Sequence, residues 1–285
     1  MSNCILSSVI LNIWGVLVEK STIIGLVLGL FAVVVGMILK GANPIALVEV
    51  PAAYVIIFVG TAGAVFMGFP MAEIKKFPKL LRVITIEQKL IPKKDIIVLF
   101  MDFASITRRE GLLALESKVD EIDDPFLKNG MRMIIDGNEQ DFVRDVLMEE
   151  INAIEERHKV GALIFSQAGM YAPTLGVLGA VIGLIAALSH LGEIEVLAHA
   201  ISAAFIATLL GIYSGYCLWH PICNKLKRLS KKELEIKLMM VEGLLSIQSG
   251  VSTIAISQKL SVFLSPTERY ESKEEEGSVE KAQSA

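Results

Sequence analysis

This sequence lacks charge, and it lacks it in blocks. No Asp, Glu, Lys or Arg occurs in 21–39, 50–72, 160–192 or 196–224, although such residues make up 20% of the chain. Each block matches or exceeds the roughly 17–25 residues that carry a helix across about 30 Å of hydrocarbon. Four transmembrane helices are therefore expected. Cysteine is scarce: Cys4, Cys217 and Cys223 suggest no disulfide framework and read as small apolar fillers in or near the membrane. A strong basic excess is absent too, and the formal net charge of −4 argues against nucleic acid as a partner. Most telling, no carboxylate lies inside any span. An intramembrane ionisable residue is the usual mark of an ion pathway. A chain with such spans cannot relay protons alone and needs a partner helix to supply the titrating group.

What is present is apolar surface and segregated positive charge. Hydrophobic residues make up 53% of the sequence, and mean hydropathy is +0.57. Of 27 Lys and Arg, fifteen lie between 72 and 159 and ten follow 224. Basic loops stay in the cytoplasm, so the large loop and both termini are expected there, in an inner-membrane protein. Met1 to Val18 carries no charge, yet only Glu19 to Thr22 separates it from the first span, too short a break for a chain reversal. A secretory signal is not expected, since there is no basic n-region and no A-x-A-like cleavage site. The natural start is expected near Val18, the alternative being a helix over these residues that lies on the membrane surface.

Along the chain, Lys40-Gly41-Ala42-Asn43-Pro44 is a turn signal that makes a hairpin of the first two spans. Pro78 and Pro92 punctuate the block that follows. From Lys93 to Ile122 apolar residues recur at helical spacing: Ile96, Phe100, Phe103 and Thr107, then Leu112, Leu115, Val119 and Ile122. Asp123-Asp124-Pro125 predicts an N-cap with proline in the first turn, and Asp136-Gly137-Asn138 a stop. From Glu139 no breaker intervenes before the third span, which predicts one long helix entering the bilayer. The third uncharged block alone would be roughly 50 Å long as a helix, so spans three and four should extend beyond the membrane. After Pro221 the fourth span should continue as a charged amphipathic helix. The expected organisation is an extension over 1–20, a transmembrane hairpin over 21–71 and a helical cytoplasmic domain over 72–159. A second hairpin over 160–224, a cytoplasmic helix over 225–265 and a disordered tail over 266–285 follow. The fold class is all-α and polytopic.

Few polar groups sit deep. His190 and His199 fall at the outer ends of spans three and four and His220 at the inner end, where they read as interfacial histidines. Pro173-Thr174 should break or kink the third helix. The Thr208 hydroxyl either bonds a carbonyl one turn back or faces a pore. Cys217, His220 and Cys223 have helical spacing, but Pro221 interrupts them and no fourth ligand is near, so no metal is expected. Gly25/Gly29, Gly179/Gly183 and Gly211/Gly215 are small-xxx-small pairs of the kind that let membrane helices approach closely.

Three segments then combine. Arg108-Arg109-Glu110-Gly111-Leu112-Leu113-Ala114-Leu115-Glu116 lies in the large loop, Ala172-Pro173-Thr174-Leu175-Gly176 in span three, and Phe205-Ile206-Ala207-Thr208-Leu209-Leu210-Gly211, followed by Pro221, in span four. In this order, on four spans, the chain resembles the MotA family of flagellar stator subunits, within the larger group that includes the ExbB and TolQ energy transducers. The likeness runs from about 20 to 265. It implies a homo-pentamer around two MotB helices whose aspartate takes the proton, with the cytoplasmic loop pushing on the rotor protein FliG. By motif match Arg108 and Glu116 carry the rotor contact, with Arg109 in support because helical periodicity alone sets it nearly in line with Glu116. Pro173, Thr174 and Pro221 are the coupling positions, Thr208 lines the ion path, and Gly176, Gly179, Gly183, Gly211 and Gly215 pack the helices. In sodium-driven relatives such as PomA the positions matching Ala180 and Ala207 are threonines, whose oxygens suit sodium. Alanine at both implies proton coupling. No enzymatic role and no cofactor are expected. The alternative, an ExbB- or TolQ-like transducer for an envelope partner, has three spans and meets the first hairpin as an objection.

Overall fold

The computed structural model describes residues 20–86 and 90–269. The expectations for 1–18 and for 270–285 lie outside these residues. The chain forms α1 (Lys20–Leu39), α2 (Pro51–Gly68), α3 (Phe77–Thr85), α4 (Lys93–Glu110), α5 (Pro125–Ile135), α6 (Gln140–Leu188), α7 (Ile194–Gln248) and α8 (Thr253–Leu260). Short turns join them, and no β-strand occurs among the described residues. α1, α2, α6 and α7 are long and apolar enough to cross a membrane. The chain divides into two units, Met1–Gln88 with Arg157–Leu229, and Lys89–Glu156 with Ser230–Ala285.

The first, the membrane unit, holds α1 to α3 and the apolar parts of α6 and α7. At the first turn Gly41 takes a φ of +73°, and the Asn43 side chain accepts from the Ile45 N–H at 3.0 Å. The segment Pro44–Leu47 then leads into α2. None of the α1 span is buried within the chain, and large side chains such as Phe31, Met67 and Phe205 point outward. Lipid is as apolar as leucine, so such a unit gains nothing by hiding large side chains and coheres through close backbone approach. Its buried clusters are accordingly small, as with Ala53, Ile57, Ala172 and Ala207, or Ile84, Ala162, Phe165, Cys223 and Leu226. Both α2 and α7 contain a π turn, Val55–Val59 and Ser214–Trp219.

The second unit has a conventional core. Ile96 and Phe100 of α4, Leu127 and Met131 of α5, Leu147 of α6, and Met239, Met240 and Leu244 of α7 are fully enclosed. The expected cap is present: Asp124 accepts from the Leu127 N–H at 3.0 Å, and Gly137, at a φ of +78°, follows the end of α5. The expected continuous helix from the loop into span three is α6, 49 residues long.

Three expectations need correction. The periodic stretch from Lys93 to Ile122 is not one helix, because Gly111 at a φ of +87° ends α4. A 3-10 turn (Leu112–Leu115) and a single α turn (Glu116–Val119) follow. The helix over 225–265 is likewise divided. α7 ends at Gln248, Gly250 turns at a φ of +67°, and Ser252 caps α8 by accepting from the Ala255 N–H at 3.2 Å. The tail expected from 266 is helical over 266–269. There the Glu268 carboxylate accepts from the Ser265 N–H at 2.8 Å and the Ser265 hydroxyl from the Glu268 N–H at 3.3 Å, a reciprocal capping box.

Candidate functional site

The packing glycines meet along one seam, between α6 and α7 within the membrane unit. A methyl group added at Gly211 would stand 2.7 Å from the Gly176 Cα and 2.9 Å from the Ala172 carbonyl oxygen. One added at Gly176 would meet the Ala207 oxygen and the Gly211 Cα, both at 2.9 Å. At Gly179 and Gly183 the neighbours are the methyls of Ala207 and Ala204, each at 3.3 Å. Backbone touches backbone here, which hydrogen at Cα alone allows. The pair Gly25/Gly29 behaves differently. Among the described residues no neighbour lies within 4 Å of a methyl built on Gly25, and Gly29 faces the tip of the Tyr213 ring.

Pro173 sits inside α6 without breaking it, which removes the first of the two expectations, a break or a kink. Proline cannot donate to the carbonyl four residues back, that of Gly169. Gly215 covers that place: a methyl on it would lie 2.8 Å from the Gly169 oxygen and 2.6 Å from the Pro173 ring. The freed acceptor therefore faces a bare Cα of α7. Gly169, a position the sequence reading missed, also receives the His220 ring, with ring atoms 2.9 Å from a methyl built there. Only its four-residue step to Pro173 marked it.

Pro221 stands two residues past the end of the π turn at Trp219. The His220 N–H reaches back five residues to the Gly215 carbonyl, and this wider turn makes room where the Pro221 ring would otherwise meet the carbonyl of Cys217. The Thr208 hydroxyl donates to the Ala204 carbonyl at 3.2 Å, the back-bonded of the two arrangements weighed for it. Thr174 does the same with Tyr171 at 2.7 Å. Ala180 is half-buried and Ala207 buried in the seam. Thr61 of α2, buried on the stripe Ala53, Ile57, Thr61 and Val65, has no partner for its hydroxyl. Its polarity was visible in the sequence, but its burial was not.

The charged group lies in the second unit. Arg108 and Arg109 are exposed in the last turn of α4, and Glu116 is exposed at the start of the turn after Leu115. Because Gly111 intervenes, the angles of a single helix do not relate Arg108 or Arg109 to Glu116. Leu113, between them in sequence, is 72% exposed while Leu115 is fully buried. It stands out of phase with the stripe Leu112, Leu115 and Val119, a signal the sequence reading did not use.

Four apolar helices and a glycine seam that carries Pro173 define a multi-pass, all-helical membrane protein. Residues 118–239 match the MotA/TolQ/ExbB proton channel family, and the chain belongs to it. It is 53% identical to Motility protein A of Bacillus subtilis over 251 residues, 88% of this chain and 93% of that protein. It superposes on a chain of the flagellar MotAB stator complex from Bacillus subtilis with a TM-score of 0.85 and 51% identity, over 89% of this chain and 99% of that one. The MotAB structure of C. jejuni gives a TM-score of 0.82 at 33% identity, over 87% and 96% of the two chains.

Proposed function

We propose that this chain is a flagellar stator subunit of the inner membrane, with both termini cytoplasmic, that joins a MotB-type partner to turn ion flow into torque. What carries the reading is the α6–α7 seam. Pro173 lies against Gly215 where Gly211 and Gly176 bring the backbones of α6 and α7 together, and Pro221 comes just after the π turn of α7. Support for the partner comes from the MotAB stator complexes that the chain resembles along most of its length. Five copies would surround two MotB helices, whose aspartate takes the proton that this chain's spans cannot bind. One charge falling through about 100 mV releases about 2.3 kcal/mol, enough to bias a ring whose packing positions are nearly equal in energy. Protons are the coupling ion, with Ala180 and Ala207 in place of the hydroxyls that would favour sodium.

Arg108, Arg109, Glu116 and, by its exposure, Leu113 form the surface that meets FliG. Arg108→Glu should impair swimming without lowering the amount of protein in the membrane, and a reciprocal charge change in FliG should partly restore it. Wild-type motility in a strain carrying both Arg108→Glu and Glu116→Lys would remove this assignment. For the ion, swimming speed is measured at fixed pH with sodium replaced by potassium. A collapse while the membrane potential holds would overturn proton coupling.

A further inference from the structure

A cleft of about 560 Å³ opens in the membrane unit between the start of α1 and the part of α7 around its π turn. Its walls are Gly25, Leu26 and Gly29 on one side and Tyr216, Leu218 and Pro221 on the other. The walls are apolar, and polar groups gather at one end. There the Thr22 hydroxyl donates to the Ile84 carbonyl at 3.3 Å, which turns its lone pairs toward Lys225. The Lys225 ammonium donates to the Thr22 oxygen, and the Ser21 oxygen lies 3.5 Å away. This chain of contacts fixes the cation at the cleft mouth, where the charged stretch of α7 begins.

From these features we infer that the cleft binds an anionic glycerophospholipid. Lys225, held by Thr22, and the Ser21 hydroxyl receive the phosphate, and an acyl chain fills the groove between α1 and α7. Two observations argue for lipid over another protein segment. The cleft opens beside α1, where Ile24, Val27, Leu28 and Phe31 are exposed, as lipid-facing side chains of a spanning helix are. Its polarity also matches a phospholipid's: one cationic, hydroxyl-bearing end at the membrane boundary, and apolar walls for the rest of its length. A basic side chain at that depth attracts anionic headgroups over zwitterionic ones. Gly25 contributes the width, since among the described residues no neighbouring atom comes within 4 Å of a methyl built there.

The test reconstitutes the full-length protein, in its native assembly, into vesicles of equal phosphatidylcholine and phosphatidylglycerol. After re-extraction, native mass spectrometry counts the lipid retained. Wild-type protein should keep phosphatidylglycerol over phosphatidylcholine by about five-fold, the scale of one basic residue's attraction to an anionic surface. Lys225→Ala should remove the preference, and Lys227→Ala, exposed and outside the cleft lining, should keep it. Gly25→Leu fills the groove with Lys225 in place and should lower retention of both lipids; it decides the matter if Lys225→Ala fails to assemble. Cys217, exposed and lining the cleft, should react with a maleimide more slowly in phosphatidylglycerol vesicles than in detergent. Equal retention of the two lipids by wild type, equal losses in Lys225→Ala and Lys227→Ala, or full retention by Gly25→Leu would each overturn the site. So would a Cys217 that is unreactive in every medium and cross-links to a second copy, since a neighbouring subunit would then fill the cleft.

Discussion

The two units of this chain cohere by opposite means. In the membrane unit many large side chains, such as Phe31, Leu30 and Phe205, are exposed, and the places where α6 and α7 touch are glycine and alanine: Gly176 on Gly211, Gly179 on Ala207, Gly183 on Ala204. In the second unit Phe100, Leu115, Met131 and Leu244 are enclosed, and the outer surface carries the charge. One solvent rewards burying large apolar groups; the other is itself apolar and leaves backbone proximity as the source of attraction. Glycine thus has two meanings in one chain. Gly111, Gly137 and Gly250 are stops, used for their positive φ, while Gly176, Gly211 and Gly215 are contact surfaces inside continuous helices.

The sharpest way to break this contrast is to enlarge Gly211. Its neighbours are backbone atoms at 2.7 and 2.9 Å, which cannot swing aside. Gly211→Leu should abolish swimming and lower the amount of protein in the membrane, scored by soft-agar spreading and immunoblot. Normal spreading would mean that the seam is not close-packed in the working assembly. A second test makes one substitution in both units. Phe100→Ala empties an enclosed site and should cost about 3–5 kcal/mol, read by thermal unfolding and by lost amide protection in α4. Phe31→Ala, on the outward face of α1, should change stability by no more than about 0.5 kcal/mol. Similar losses in both would erase the distinction.

Gly130 offers a milder comparison with Gly211. A methyl there would lie 2.4 Å from the end of the Leu244 side chain and 3.2 Å from that of Leu147. Side-chain ends can turn, so Gly130→Ala should cost about 1–3 kcal/mol by overpacking and leave assembly intact. A melting temperature as low as that of Phe100→Ala would show the core to be less yielding than its side-chain lining implies.

The smallest expected effect concerns Glu268. The Ser265 hydroxyl and N–H, with help from Lys93 and Lys94, hold its carboxyl below the usual value. A depressed carboxyl contributes stability that is complete above its unfolded pKa and lost as pH falls through the folded one. Amide protection at Glu268 and Arg269 should therefore weaken on acidification below about pH 4.5, the ordinary value for Glu. Glu268→Gln should give a lower protection that varies less with pH. An unchanged acid profile in that variant would show that the cap does not depend on the carboxylate.

Much of this architecture could be read directly from residue order. Charge-free blocks located all four spans, Asp124 and Gly137 bounded α5, and the absence of a breaker after Glu139 predicted α6. Features that depend on backbone phase or on distant partners were hidden. Leu112, Leu115 and Val119 carry the helical rhythm past Gly111, so a break looks like continuity. The π turns leave no mark in composition, since the residues of Ser214–Trp219 suit an ordinary helix. Nor does spacing reveal whether a small-xxx-small pair meets another helix. Gly211 does, and Gly25 borders a cleft instead. Pro173 and Pro221 were legible as prolines, but the contacts of Gly169 and Gly215 that complete the Pro173 environment were not.

The π turn in α7 has a consequence for how this helix tolerates change. A turn with hydrogen bonds to the fifth residue back accommodates one residue beyond an ordinary turn. It works as a phase shifter: the side-chain patterns on either side of it are offset by about one residue's rotation, roughly 100°. The arm from Ile194 to Tyr213 can present its small residues to α6 while the arm after Pro221 turns an amphipathic face of different composition. Deleting one residue within Ser214–Trp219 would leave an unbroken helix and a proper hydropathy profile. The two arms would then face the wrong neighbours.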